Sequence, residues 1–182
     1  LINETLNHIP WNKIDLPYVS EKNHMRDDES LSNAEDYIFN MEYLLKWNPD
    51  KFVVWNRPLY WYRKHGTHTL SGRYYEDMFA TKKKEIALLT LLEKQWDIVH
   101  GDGYYKRVLH CIETGIMNYL RPENPMPYWK KMARCNTVMQ GKTYKRCLKK
   151  CAKEMSGIRM FVCNTGNSFL FCQYIKFCNT WN

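Results

Sequence analysis

The chain has 182 residues, 45% of them hydrophobic and 25% charged, with 7 Trp, 13 Tyr and 7 Phe. This composition excludes a low-complexity or disordered class and fits one domain, or one subdomain with an extension. The net charge of +8 is unevenly spread: residues 1–71 hold 8 Lys and Arg against 10 Asp and Glu, and residues 72–182 hold 19 against 9.

In chain order, Pro10 and Pro17 punctuate an irregular start, and Leu16–Lys22 reads as a short helix. His24–Ser30 is polar and reads as a loop. Ser32 or Asn33 is a suitable N-cap for a helix from about Ala34 to Lys46, with Glu35 and Asp36 in its first turn, where carboxylates suit the helix dipole. Tyr37, Ile38, Met41, Leu44 and Leu45 form its apolar face. Asn48-Pro49-Asp50 ends it. Lys51–Trp55 and Arg57–Arg63 read as two short strands, with Pro58 placing the second at an edge. Residues 64–72 form a polar loop with His65 and His68.

From Tyr74 to His100 the apolar spacing is helical, through Met78, Ile86, Leu89, Leu92 and Trp96, and Gly101 and Gly103 mark a stop. A second long helix spans about Tyr104–Leu120. Pro122, Pro125 and Pro127 force a loop, and further helices are expected near 128–135, 141–154 and 168–178. The expected class is α+β, predominantly α: a mixed segment at 1–71 with short strands, then a helical extension at 72–182. There is no βαβ series and no glycine-rich phosphate loop.

All seven cysteines lie after residue 110, with no CxxC pair. They read as reduced, mostly buried thiols of a cytosolic protein rather than a zinc site. No secretory signal and no stretch of transmembrane length is visible, and the first residue is Leu1, which suits a trimmed chain.

Three local patterns occur in order. Pro10-Trp11-Asn12-Lys13 comes first. Glu35-Asp36 then opens an amphipathic helix as Ala34-Glu35-Asp36-Tyr37-Ile38-Phe39-Asn40. Pro58-Leu59-Tyr60-Trp61-Tyr62-Arg63 follows, with a loop ending Thr69-Leu70-Ser71. This trio resembles glycosyltransferase family 2, in particular the bacterial enzymes of capsule, exopolysaccharide and lipopolysaccharide assembly. The resemblance covers residues 9–71 and treats 72–182 as a variable helical tail. It implies the C-terminal, acceptor-side part of a GT-A glycosyltransferase domain.

By that resemblance, Asp36 is the base of an inverting sugar transfer and Glu35 orients a neighbour or contacts the acceptor. Trp11, Asn12 and Lys13 line the acceptor region. Arg63, His65, His68 and Ser71 belong to a loop that closes over the donor diphosphate, where cations stabilise the leaving group; His68 alternatively touches a divalent metal. The plain structural alternatives are a capping role for Glu35 and Asp36, core packing for Trp11 and simple exposure for the histidines.

The family's donor part, with its nucleotide-binding crossover and Asp-x-Asp metal motif, has no counterpart in this sequence. Asp27-Asp28 is two adjacent acids in a loop after the first motif and does not fill that role. No cofactor is therefore expected of this chain, while Mg²⁺ or Mn²⁺ is expected of the intact enzyme. The chain is expected to be inactive alone. A nucleotide sugar and a glycan or lipid-linked acceptor are the partners of the whole, on the cytoplasmic side of the inner membrane.

Lys130 to Lys153 holds nine basic residues and no acid. An alternative reading is thus a membrane-surface or protein-interaction module, with the basic helical C-terminus against anionic lipid. Nucleic acid is not expected as a partner, since no RRM, KH, helix-turn-helix or zinc-finger pattern is present. Association into homo-oligomers through apolar helix faces is a further expectation.

Overall fold

The computed structural model describes residues 17–26, 28–47 and 73–180, the last five of these through their backbone alone. Eight α-helices are described: α1 (Pro17–Lys22), α2 (Glu35–Trp47), α3 (Met78–Gln95), α4 (Asp102–Tyr119), α5 (Tyr128–Gln140), α6 (Lys142–Cys151), α7 (Gly157–Asn164) and α8 (Ser168–Thr180). A 3₁₀ turn over Ala152–Glu154 continues α6. Among the described residues there is no strand, so the chain is predominantly helical there. Both expected strands, Lys51–Trp55 and Arg57–Arg63, lie outside the described residues.

The helices pack in sequence order around α4. Helix α2 packs on α3, α3 on α4, and α4 on both α5 and α6; α7 and α8 close the far end. One core lies between α2 and α3, from Tyr37, Ile38, Met41 and Leu44 against Leu88, Leu89 and Leu92. Burying side chains such as Ile38 and Leu92 contributes about 2 kcal/mol each. Gln95 donates to the Leu45 carbonyl at 3.2 Å and ties the ends of the two helices together. A larger core surrounds α4, with Val108, Leu109 and Ile116 meeting Met139, Tyr144, Leu148, Val162 and Phe171. The first core joins α2, from the expected mixed segment, to α3 of the expected extension.

Several helix limits differ from expectation for identifiable reasons. Helix α3 ends at Gln95, not near His100. There the Ile98 N–H donates to the Glu93 carbonyl at 2.8 Å and the Asp97 N–H to Lys94 at 3.3 Å, with Asp97 at φ 51°. This is the Schellman arrangement, with an aspartate in the left-handed position that glycine usually fills. Gly101 instead precedes α4 as its N-cap. The expected helix near 128–135 runs on to Gln140, and the one expected over 141–154 begins at Lys142 and gives way to the 3₁₀ turn after Cys151.

Helix α7 was not expected. Its start is fixed by Ser156, whose hydroxyl accepts the Arg159 N–H at 3.3 Å. Gly166, at φ 60°, turns the chain into α8, where the Asn167 carboxamide oxygen accepts the N–H groups of Phe169 and Leu170. No described helix is long and apolar enough to cross a membrane.

Candidate functional site

The Glu35-Asp36 pair stands in the first turn of α2, and both side chains are partly exposed. The turn is set by its approach segment. Ser32 donates its hydroxyl to an Asp77 carboxylate oxygen at 2.6 Å, and the Asn33 side-chain amide reaches the Met78 sulfur at 3.0 Å. These two residues, expected as N-caps of α2, thus fasten the loop to the start of α3. Ala34 follows with φ 62°, a left-handed backbone costly for a residue with a Cβ, and its carbonyl accepts the Ile38 N–H at 3.0 Å. The strained residue immediately precedes the two carboxylates.

Behind the pair the helix is buried. Tyr37 and Asn40 are almost wholly enclosed. The Arg107 guanidinium lies over the Tyr37 ring, 4.2 Å from its centroid, and donates to Glu85 at 2.7 Å. Glu85 also pairs with Lys82 one turn earlier on α3 and accepts from the Cys111 thiol at 3.4 Å. Burial pushes the Tyr37 phenol far up, and burial with the neighbouring Glu85 pushes the Cys111 thiol up to about 12. Both are therefore neutral packing and hydrogen-bonding groups rather than nucleophiles. The network ties α2, α3 and α4 together directly beneath the first turn of α2.

A second link flanks it. Lys84 of α3 holds Asp28 at 3.1 Å and Glu42 of α2 at 3.2 Å. Ser30 donates to Asp28 through both its N–H and its hydroxyl, and with Lys84 holds that carboxyl below the usual range. Asp28 is thus part of a turn anchored to α3.

The other expected site residues, Trp11, Asn12 and Lys13, and Arg63, His65, His68 and Ser71, lie outside the described residues. Among the described residues no group of three His, Cys, Asp or Glu could hold a metal ion. As carboxylates, Glu35 and Asp36 can accept a proton and hydrogen bonds. The Lys82–Glu85–Arg107 network was not singled out from the sequence, although it left a signal. Lys82 and Glu85 fall in register with Met78, Leu89 and Leu92, so two charges occupy positions of the buried stripe of α3.

A cleft of about 230 Å³ opens between α4, the 3₁₀ turn and α7, lined by Lys106, His110, Cys151, Glu154 and Arg159 among others, with no residue of α2. Its charges are largely matched: Lys106 pairs with Glu154 at 2.5 Å and Arg159 with Glu113 at 2.7 Å.

No protein-family model, curated protein or solved structure matches this chain.

Proposed function

We propose that the chain is the acceptor-side part of a GT-A glycosyltransferase that moves a sugar from a nucleotide-sugar donor to a glycan or lipid-linked acceptor with inversion. The observation that carries the reading is the first turn of α2. Two carboxylates stay partly exposed there, on a helix whose buried side is bolted to α3 and α4, directly after a residue in a strained backbone conformation. Strain kept beside exposed acids suits a site whose geometry matters more than its local stability.

In this reading Asp36 takes the proton of the acceptor hydroxyl as that oxygen bonds to the anomeric carbon of the donor. The bond from that carbon to the diphosphate breaks, and the nucleoside diphosphate leaves. Glu35 hydrogen-bonds the acceptor or a neighbour of Asp36. Trp11, Asn12 and Lys13 on the acceptor side, and Arg63, His65, His68 and Ser71 on the donor side, take the roles that the family resemblance implies. Mg²⁺ or Mn²⁺ and the nucleotide belong to the donor half, and the chain works at the cytoplasmic face of the inner membrane.

Two measurements test this. Calorimetric titration of the chain with nucleotide sugars and Mn²⁺ is expected to give no heat; clear binding would show a nucleotide site within these 182 residues and remove the division into halves. In a polypeptide that joins this chain to its donor half, Asp36→Asn is expected to lower transfer by about 10²-fold or more, the usual weight of a general base, in a protein that circular dichroism shows to be folded. Transfer at the unaltered rate would end the assignment.

A further inference from the structure

After Glu123 the chain carries one acid, Glu154, which is engaged with Lys106. Of the nine basic residues from Lys130 to Lys153, eight are exposed. The ninth, Lys131, is buried and donates to the Arg121 carbonyl at 2.9 Å. Helix α6 buries Tyr144, Cys147, Leu148 and Cys151 against the core and leaves its cations, among them Lys145 and Lys149, on its outer side. Like charges so gathered repel one another, and an anionic surface relieves that repulsion.

Apolar exposure stands beside this charge. Ile158 and Phe161, three residues apart on α7, share one face and are each 69% exposed. Helix α7 packs against both α6 and α8. Past the turn at Gly166, α8 opens with Phe169 and Leu170, also exposed. Ser168 holds that start against α5, its N–H on the Asn136 side chain at 2.7 Å and its hydroxyl on the Met132 carbonyl at 3.1 Å. Phe169 and Leu170 therefore emerge beside the middle of α5, whose first turn exposes Tyr128 and Trp129. Single exposed apolar residues are ordinary, whereas four large ones on α7 and the start of α8, two helices joined by one short turn, mark an interaction surface.

We propose that α6, α7 and the beginning of α8 dock on an anionic lipid bilayer. Lysines of α6 meet the headgroup phosphates, and Ile158 and Phe161, with Phe169 and Leu170 beside them, enter the acyl boundary. Charge alone would suit nucleic acid equally, but an exposed Ile–Phe face gains nothing from a phosphodiester backbone and much from acyl chains. The inference is independent of the glycosyl-transfer reading.

Co-sedimentation of the whole 182-residue chain with vesicles tests it. Binding is expected with phosphatidylcholine containing phosphatidylglycerol, and not with phosphatidylcholine alone, and it weakens as salt rises. Lys145→Gln with Lys149→Gln is expected to weaken binding roughly 25-fold, at about fivefold for each lysine. Ile158→Ser with Phe161→Ser is expected to weaken it about tenfold. All four positions are exposed, so circular dichroism of both variants should match the parent. Sedimentation with neither vesicle, equal sedimentation with both, or full binding by the Ile158→Ser, Phe161→Ser chain overturns the proposal. In that last case tight binding of single-stranded RNA would assign the cations to nucleic acid.

Discussion

The guanidinium of Arg107 stands 4.2 Å from the centroid of the Tyr37 ring, one residue beyond Asp36, while its Nη2 donates to Glu85 at 2.7 Å. One side chain of α4 thus anchors the first turn of α2 and neutralises a buried carboxylate on α3. Removing it leaves Glu85 enclosed with Lys82 as its remaining cation. Breaking such a buried pair costs about 3 kcal/mol or more. Arg107→Ala is expected to lower unfolding free energy by about that amount in urea titration. Arg107→Met, of similar length and uncharged, recovers part of the packing but not the pairing. A loss under about 1 kcal/mol in Arg107→Ala would show that Glu85 has no need of Arg107.

Gly115 sets how closely α4 approaches α3. A Cβ built there would lie 2.7 Å from Cε1 of Phe79, whose ring is itself packed 5.7 Å from that of Tyr119. Alanine in a helix interior gains about 1 kcal/mol over glycine, but overpacking costs about 1–3 kcal/mol. Gly115→Ala is therefore expected to be destabilising by about 1 kcal/mol and Gly115→Val by more. Phe79→Leu in the Gly115→Ala background should restore part of the loss. A more stable Gly115→Ala protein in thermal melts would mean that Phe79 moves aside freely.

Glu113 is buried beside Arg159, with Tyr144 and Cys163 about it, and burial holds its carboxyl above the ordinary 4.5. The folded protein therefore binds this proton more tightly than the unfolded chain does. The resulting stabilisation is complete below pH 4.5 and is lost as pH rises through the higher folded value. Glu113→Gln removes that loss. The difference in unfolding free energy between Glu113→Gln and the parent should shift in favour of glutamine as pH rises from 4.5. A difference that stays constant with pH would place the Glu113 carboxyl at its ordinary value.

Five cysteines, Cys111, Cys135, Cys147, Cys151 and Cys163, are buried free thiols. Burial pushes Cys135 up to about 12 and Cys147 up to about 11. Neither access nor thiolate is provided at neutral pH. Brief treatment of the native protein with iodoacetamide, read by mass spectrometry, should leave these five unmodified, while denaturant exposes all seven of the chain's cysteines. Rapid native labelling at Cys111 or Cys135 would contradict the packing around α4.

The sequence by itself determined most of the helices. The apolar spacing of Tyr37, Ile38, Met41 and Leu44 and that of Met78, Leu89 and Leu92 are local periodicities, and the burial of those residues follows from them. It also placed Glu35 and Asp36 in a first turn, since that depends on neighbours in the chain. Helix ends were less legible. Asp97 stops α3 through a left-handed backbone and Ser156 starts α7 through its hydroxyl, roles that several residue types fill, so no single glycine or proline announces them.

Tertiary structure alone decided what Ser32 and Asn33 do. Both have the chemistry of N-caps, but Asp77 and Met78, 45 residues on, offered partners that local sequence does not record. It likewise decided that Lys82, Glu85 and Arg107 are interior. Charged residues read as surface until a second and third helix bring opposite charges within hydrogen-bonding distance, and only then is their desolvation offset.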